Sequence, residues 1–383
     1  MVEPCPLIEL RGKPFERGRD YGAKAQGRIR KGIAHYSAQL AAMQMDTAQI
    51  RTLVRDYLPV IEGYEPRFVE EMRGIARGAE VAFEEIALLN ARTEILKLAQ
   101  RPDLRAKLAR PGGDELADGC TGVVVLPDAT RDGRLIHAQN WDWKAECAET
   151  AVVLRVRRDD GPDLLTFTEA GGLARSGLNA AGIAITANYL ESDRDYRQIG
   201  VPLALIRRKV LESEHVALAM HTVYATPKSA SNNMIVSHRD GVAIDFECAP
   251  DETFQVHAER GLLVHANHFQ SPVALSKLKD TGIASTPDSL YRDIRVRDLL
   301  APQIERISID SVKSALFDDF GSPWSVCRPP RPSLAGNLSA SVAMIVMEPA
   351  TGTMEVAMLP ALNRTFQTFR IETPATLRVA VAE

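Results

Sequence analysis

The chain has 383 residues, 45% of them hydrophobic and 25% charged, so it can bury a full core without disulfides or metals. Forty-six Lys and Arg against fifty Asp and Glu give a formal net charge of -4, which argues against a dedicated nucleic-acid binder. No run approaches the roughly 18 apolar residues of a membrane-spanning helix. The amino terminus, MVEPCPLIELRGKPFERG, interleaves Pro, Glu and Arg where a signal peptide needs an apolar core. The expectation is a soluble, cytoplasmic protein with no membrane or nucleic-acid partner.

From about residue 20 to 100 the pattern is helical. Ile50, Leu53, Tyr57 and Ile61 repeat at helical spacing, as do Phe68, Met72 and Ile75, and then Ile86, Leu89 and Leu96 on a longer stretch. Glu65-Pro66 supplies a helix start, with Pro in the first turn. Several amphipathic helices in series need a partner for their apolar faces, so they form one layer of a fold. Residues 101–119, RPDLRAKLARPGGDELADG, carry Pro, paired Gly and many charges, the chemistry of an exposed, hydrolysable loop. After Cys120 the period switches to short β-branched runs: Thr121–Leu126, Leu135–Asn140, Ala151–Val156 and Leu164–Thr168. Asp132-Gly133 and Asp160-Gly161 supply hairpin turns between them. Ile183–Ala187, Asn233–Ser237, Val242–Phe246 and Gly261–Val264 read as further strands, interrupted by helices near 201–222 and 287–300. Met344–Met347 and Met354–Leu359 close the system. Helices followed by many antiparallel strands predict a layered α+β fold.

Five cysteines, an odd number at wide spacing with no C-x-x-C, exclude a disulfide framework or a zinc ribbon. The familiar phosphate-binding, dinucleotide-binding, zincin and nucleophile-elbow motifs are all missing. His265 and His268, at i and i+3 near a strand end, should point to opposite faces, and no metal is expected. What remains is Asp118-Gly119-Cys120-Thr121, which puts a thiol at a loop-to-strand junction. Gly119 lets its carbonyl be approached closely. The Cys120 sulfur could then attack the preceding peptide bond, and hydrolysis would leave Cys120 as a new amino terminus. An α-amine titrates at about 7.7–8.0 and a thiol at about 8.5, so that amine can take the thiol proton without a histidine. By itself, the tetrapeptide is equally a buried Cys after a turn.

Downstream segments add weight. Gln139-Asn140-Trp141-Asp142-Trp143 ends the second strand, and Gly177-Leu178-Asn179-Ala180-Ala181-Gly182-Ile183 reads as a turn into a strand ending Thr186-Ala187-Asn188-Tyr189. His265-Ala266-Asn267-His268-Phe269 ends another, and Ser289-Leu290-Tyr291-Arg292 opens a helix. In this order, together with an opening Gly12 to Gly18 segment ending Glu16-Arg17-Gly18, they resemble the acyl-coenzyme A:6-aminopenicillanate acyltransferase family of N-terminal nucleophile hydrolases. More distantly, they resemble the choloylglycine hydrolases. The resemblance spans nearly the whole chain, to Ser325-Val326-Cys327-Arg328 and the last strands.

The resemblance implies an αββα sandwich of two antiparallel sheets between helical layers. It implies a zymogen cleaved between Gly119 and Cys120, with residues 1–119 and 120–383 staying associated as one domain. Cys120 would be nucleophile and base, Asp142 would orient its amine, and Asn267 would meet the oxyanion. Asn188 matches the choloylglycine hydrolases' other pocket Asn. Ser289 and Arg292 sit where the family has Ser-x-x-Arg, and Trp141 falls in the pocket. Choloylglycine hydrolases carry Arg where this chain has Gln139, which argues against bile-salt specificity. No coenzyme A site is recognisable, and no cofactor is implied. The expected activity is hydrolysis of a linear amide in a small N-acyl amine or amino acid. An acyltransferase, an uncleaved thiol hydrolase pairing Cys120 with His265 or His268, and a non-catalytic scaffold stay open, as does assembly into a homo-oligomer.

Overall fold

The computed structural model describes residues 2–99, 119–332 and 338–373. Most of the loop expected at 101–119 therefore lies outside the described residues. Among them, fifteen strands form two sheets. The first sheet runs β1 (Leu7–Leu10), β4 (Ala151–Val156), β5 (Leu164–Glu169), β6 (Ser176–Asn179), β7 (Ile183–Tyr189), β8 (Asn232–His238), β9 (Val242–Cys248), β10 (Thr253–His257). The second runs β11 (Leu262–His265), β2 (Gly119–Val125), β3 (Ile136–Lys144), β13 (Leu338–Glu348), β14 (Thr353–Met358), β15 (Gln367–Arg370), with β12 (Arg331–Pro332) beside β13. All neighbours are antiparallel except β1, which lies parallel to β4.

Among the described residues, six helices precede β2: α1 (Pro14–Lys24), α2 (Gln26–Ala42), α3 (Thr47–Tyr64), α4 (Pro66–Ala79), α5 (Phe83–Asn90) and α6 (Arg92–Ala99). Asp46 and Gln49 cap α3 reciprocally, each side chain accepting the other's backbone N–H. Pro66 opens α4, whose Phe68, Val69, Met72 and Ile75 are buried as the spacing requires. The opening Gly12 to Gly18 segment is a packing device. Arg17 reaches the buried Glu71 of α4 at 2.6 Å, and a Cβ on Gly18 would stand 2.0 Å from the Glu71 carbonyl oxygen. Only glycine lets α1 and α4 approach this closely.

These helices, with α7 (Leu203–Leu211) and α8 (Val216–Ala225), cover the outer face of the first sheet. Val124 of β2 meets Ile235 of β8 between the sheets, while Val123 and Val125 pack against Val296 and Leu300 on the opposite face. Those two belong to α10 (Ser289–Leu300), which with α11 (Ile309–Leu316) forms the last layer, after the short α9 (Pro272–Lys277). The order is helices, sheet, sheet, helices, the expected αββα sandwich. With both faces covered, every residue of β2 and β3 is buried, including the polar His137, Gln139, Asn140, Asp142 and Lys144 of β3.

Several boundaries differ from the sequence expectation. The helix expected at 201–222 is two, broken near Ser213, and the strand at Leu135–Asn140 extends to Lys144. Gly177 to Asn179 is strand β6 and not turn, because its short run pairs with β5 and β7. The 86–96 periodicity is shared by α5 and α6, which break at Ala91.

Candidate active site

Strand register sets up the site. Gly119 pairs with Asp142 and Cys120 with Trp141, and directly opposed residues share a face. Cys120 and Trp141 therefore face the interior between the sheets, while Gly119 and Asp142 face the layer that carries α10. The Cys120 side chain is buried. Nη2 of Arg175, one residue before β6, lies 3.8 Å from its Sγ. The Arg175 guanidinium stands 4.1 Å over the Trp141 ring, which meets Phe167 edge-on at 5.8 Å.

On the other face, the backbone of Cys120 is clamped. Its N–H donates to Asn267 Oδ1 at 2.7 Å. From α10, Arg292 donates through Nη1 to the Cys120 carbonyl oxygen at 2.6 Å and to Thr121 Oγ1 at 2.9 Å, and through Nη2 to Asn267 Oδ1 at 2.8 Å. The Asn267 backbone N–H donates to Ser289 Oγ at 2.7 Å, and its Nδ2 to the Tyr189 carbonyl oxygen at 2.8 Å. Three partners thus fix which end of the Asn267 amide faces Cys120, and it is the oxygen.

Asp142 is held by Ser341, its partner in register on β13, whose Oγ donates to Oδ1 at 2.5 Å. Arg328 Nε lies 3.2 Å from Oδ2, and Arg328 Nη2 donates to Asp288. Asp142 Oδ2 nonetheless has no hydrogen bond among the described residues, although it is buried. It stands against Gly119: a Cβ added there would lie 2.8 Å from Oδ2 and 2.8 Å from Arg328 Nη1. Any side chain before Cys120 would have to displace Asp142 or Arg328.

The charges close on themselves: two guanidiniums, Arg292 and Arg328, between two carboxylates, Asp142 and Asp288. Burial pushes the Asp288 carboxyl up, but Arg328 and Arg292 outweigh it and hold the group below the usual carboxylate range. Burial, and then Arg328, pull Arg292 down; burial also opposes Arg328, yet Asp142 and Asp288 leave it raised. Asp288 and the two arginines thus stay ionised, as buried partners must if none is to strand a charge.

The model of the acyl-coenzyme A:6-aminopenicillanic acid acyl-transferase family matches residues 129–358. The chain is similar to the acyl-coenzyme A:6-aminopenicillanic-acid-acyltransferase 40 kDa form of Emericella nidulans, at 30% identity over 84% of each chain. The chain belongs to this family. Among solved structures it is similar to the conjugated bile acid hydrolase of Clostridium perfringens, at 13% identity over 66% of this chain and 92% of that one, TM-score 0.47. It is also similar to penicillin V acylase from Agrobacterium tumefaciens, at 16% identity over 66% and 86%, TM-score 0.44.

Within this acyltransferase family member, the expected residues Gly119, Cys120, Asp142, Asn267, Ser289 and Arg292 converge on one peptide bond. Trp141 is the floor under Arg175. Asn188 stands apart from that bond: both its N–H groups donate, to the His265 and Ala266 carbonyl oxygens at 3.0 Å each, and its Oδ1 accepts from Gln139 at 2.7 Å. It ties β7 to the end of β11. Gln139 is likewise occupied, by the Ala187 carbonyl oxygen and Ser176 Oγ, each at 2.7 Å.

His265 and His268 do not face opposite ways. The strand ends at His265, the chain turns, and the rings stack at 6.2 Å. His265 binds Glu247 at 2.7 Å and His268 binds Ser289 Oγ at 2.8 Å; no hydrogen bond joins either ring to Cys120 among the described residues. Nor does any group of three metal-ligating side chains occur among them. Two surface clefts, of about 610 Å³ beside Arg30 and Arg77 and about 250 Å³ beside Arg67 and Arg158, are not lined by Cys120.

Sequence reasoning missed Arg328, Ser341 and Arg175; it did reach Asp288, four residues before Arg292, as an ion-pair partner, and the two side chains meet at 2.8 Å. Arg328 lay within a quoted stretch but had no partner in sequence. Ser341 is found only through the register of β13, and Arg175 only through the packing of the two sheets.

Proposed function

We propose that this protein cleaves itself between Gly119 and Cys120 and then acts as an N-terminal cysteine amidohydrolase on small N-acyl amines. One observation carries the proposal. The Gly119–Cys120 peptide lies between an acceptor on the Cys120 nitrogen, Asn267 Oδ1 at 2.7 Å, and the hydrogen-bond-deficient Oδ2 of Asp142 packed against Gly119.

In the first reaction, the Cys120 sulfur bonds to the Gly119 carbonyl carbon and the C–N bond breaks. The thiol proton ends on the departing nitrogen, which Asn267 Oδ1 and Asp142 Oδ2 are placed to receive as an amine. Water then hydrolyses the thioester, giving a Gly119 carboxylate and regenerating the thiol. In the second reaction, the α-amine takes the thiol proton, Sγ attacks a substrate amide, and the amine leaves with that proton. Asn267 would supply the second N–H of its amide to the oxyanion, with Arg292 polarising it through Oδ1. Such a donor is worth about 3–4 kcal/mol in related chemistry. Arg175, at 3.8 Å from Sγ, favours the thiolate.

The acyl-enzyme can be resolved by water or by an amine, and the Emericella nidulans relative is named for the second outcome. Purified protein given N-acyl amines and hydroxylamine should release both free acid and acyl hydroxamate. Absence of any hydroxamate while acid forms would mean that no transferable acyl-cysteine exists.

A further inference from the structure

A second pair of arginines lies on the sulfur side of the site. Arg175 is 5% exposed and Arg207, on α7, is 7% exposed. Nε of each is buried without a hydrogen bond, and among the described residues neither guanidinium has a carboxylate within ion-pair distance. The nearby acids are committed elsewhere. Glu169 binds Arg92 at 2.5 Å, and Glu94 accepts the Leu203 N–H at the start of α7 at 2.7 Å. The next residue, Arg208, shows the ordinary solution: it is fully buried and binds Glu71 at 3.1 Å and Glu212 at 2.8 Å. Burial, then the charge of Arg175, pull Arg207 below its ordinary value. A guanidinium keeps its proton regardless, so two like charges lie buried without a counter-ion among the described residues. Fold stability would not select this, because an unpaired buried charge is costly.

We propose that Arg175 and Arg207 receive a carboxylate of the substrate, so that the amide cleaved is that of an N-acyl α-amino acid. This rests on the amidohydrolase reading and narrows it. The position of Arg175 sets the class. An attacked carbon sits about 3–3.5 Å from the sulfur, and a charge-assisted hydrogen bond spans about 2.7–2.9 Å. With Nη2 already 3.8 Å from Sγ, the carboxylate belongs close to the scissile amide, where an α-amino acid carries it. Trp141 backs the Arg175 guanidinium and holds it flat.

The test uses N-acyl-phenylalanines (acetyl, hexanoyl, phenylacetyl) and the matching N-acyl-phenylalaninamides, with wild type and Arg207→Gln. Wild type should prefer the acid over its amide about tenfold to a hundredfold in kcat/KM, as charge-assisted hydrogen bonds predict. Arg207→Gln should narrow that ratio to about threefold or less, through KM for the acid. Arg207 makes no hydrogen bond to Cys120, so a role confined to activating the thiol would leave the ratio intact. Equal turnover of acid and amide by wild type overturns the carboxylate site but leaves the amidohydrolase standing. If neither is turned over, the amidohydrolase reading fails, and thermal melting decides the site alone. The acid should then stabilise wild type and not Arg207→Gln, with the amide inert; equal stabilisation by acid and amide refutes it.

Discussion

Replacing Gly119 by alanine tests the geometry of the scissile peptide most sharply. The added Cβ would meet Asp142 Oδ2 and Arg328 Nη1 at 2.8 Å and Arg328 Cζ at 2.9 Å. Contacts with the end of a long side chain are normally cheap, but Arg328 cannot swing away. Its side chain is 2% exposed and pinned by Asp142 and Asp288 together, and Asp142 is tied to Ser341. Overpacking of this kind costs about 1–3 kcal/mol. Strain that pushes Asp142 and Arg328 off the peptide should persist into the cleavage transition state, slowing processing about tenfold to a hundredfold. Melting of the uncut chain and a time course of intact mass after purification measure the two effects. Arg328→Met removes two of the three contacts, so Gly119→Ala should cost less melting temperature in that background than in wild type, a coupling readable as a double-mutant cycle. A Gly119→Ala protein that melts and cleaves like wild type would refute the close packing and the role given to Asp142.

Asp142→Asn keeps the shape but loses the charge, so amide turnover should fall at least about a hundredfold; melting must remain near wild type for the loss to be read as chemistry. Arg292→Lys replaces a fork with a point charge and leaves Cys120, Asn267 and Asp288 short of donors, at a cost of about 3–5 kcal/mol by chemical denaturation; a loss under 1 kcal/mol contradicts the clamp. His137, buried between Ser237 and Thr186, is pushed down to about 3 by burial, whereas an unfolded histidine titrates at about 6.5. Its neutral form therefore stabilises the fold above about 6.5, and that contribution is lost as pH falls toward 3; His137→Gln should flatten the acid limb of the melting curve. For His265, burial opposes ionisation, but Asp245 and Glu247 raise it to about 9, so its stabilisation is complete below about 6.5 and lost as pH rises through 9. His265→Gln should flatten the alkaline limb.

Much of this was legible in the sequence because the site is built from strand ends. Period changes located Cys120, Asp142, Asn188 and Asn267 at the termini of short runs, and those runs became β2, β3, β7 and the end of β11. The helix opening with Ser289 appeared where the Ser-x-x-Arg pattern put it. What the sequence could not show was depth and direction. Asn188 was a pocket residue by resemblance only, and both its N–H groups and its oxygen are consumed by main chain and Gln139. Asn267 was expected to point its NH2 at the reaction, and in the uncut chain its oxygen faces Cys120 while its NH2 reaches Tyr189. The two arginine pairs, Arg292 with Arg328 and Arg175 with Arg207, are joined across distant segments by sheet register and helix docking. No local pattern records such partnerships.

Everything proposed for this site depends on the bond between Gly119 and Cys120. Intact mass of the purified protein, with amino-terminal sequencing, reads it directly. Wild type should give fragments of 119 and 264 residues, the larger beginning at Cys120, that copurify under native conditions, and Cys120→Ala should give one full-length species. A wild-type protein that stays whole yet hydrolyses amides, or a Cys120→Ala protein that is cut at the same bond, would contradict self-cleavage by Cys120.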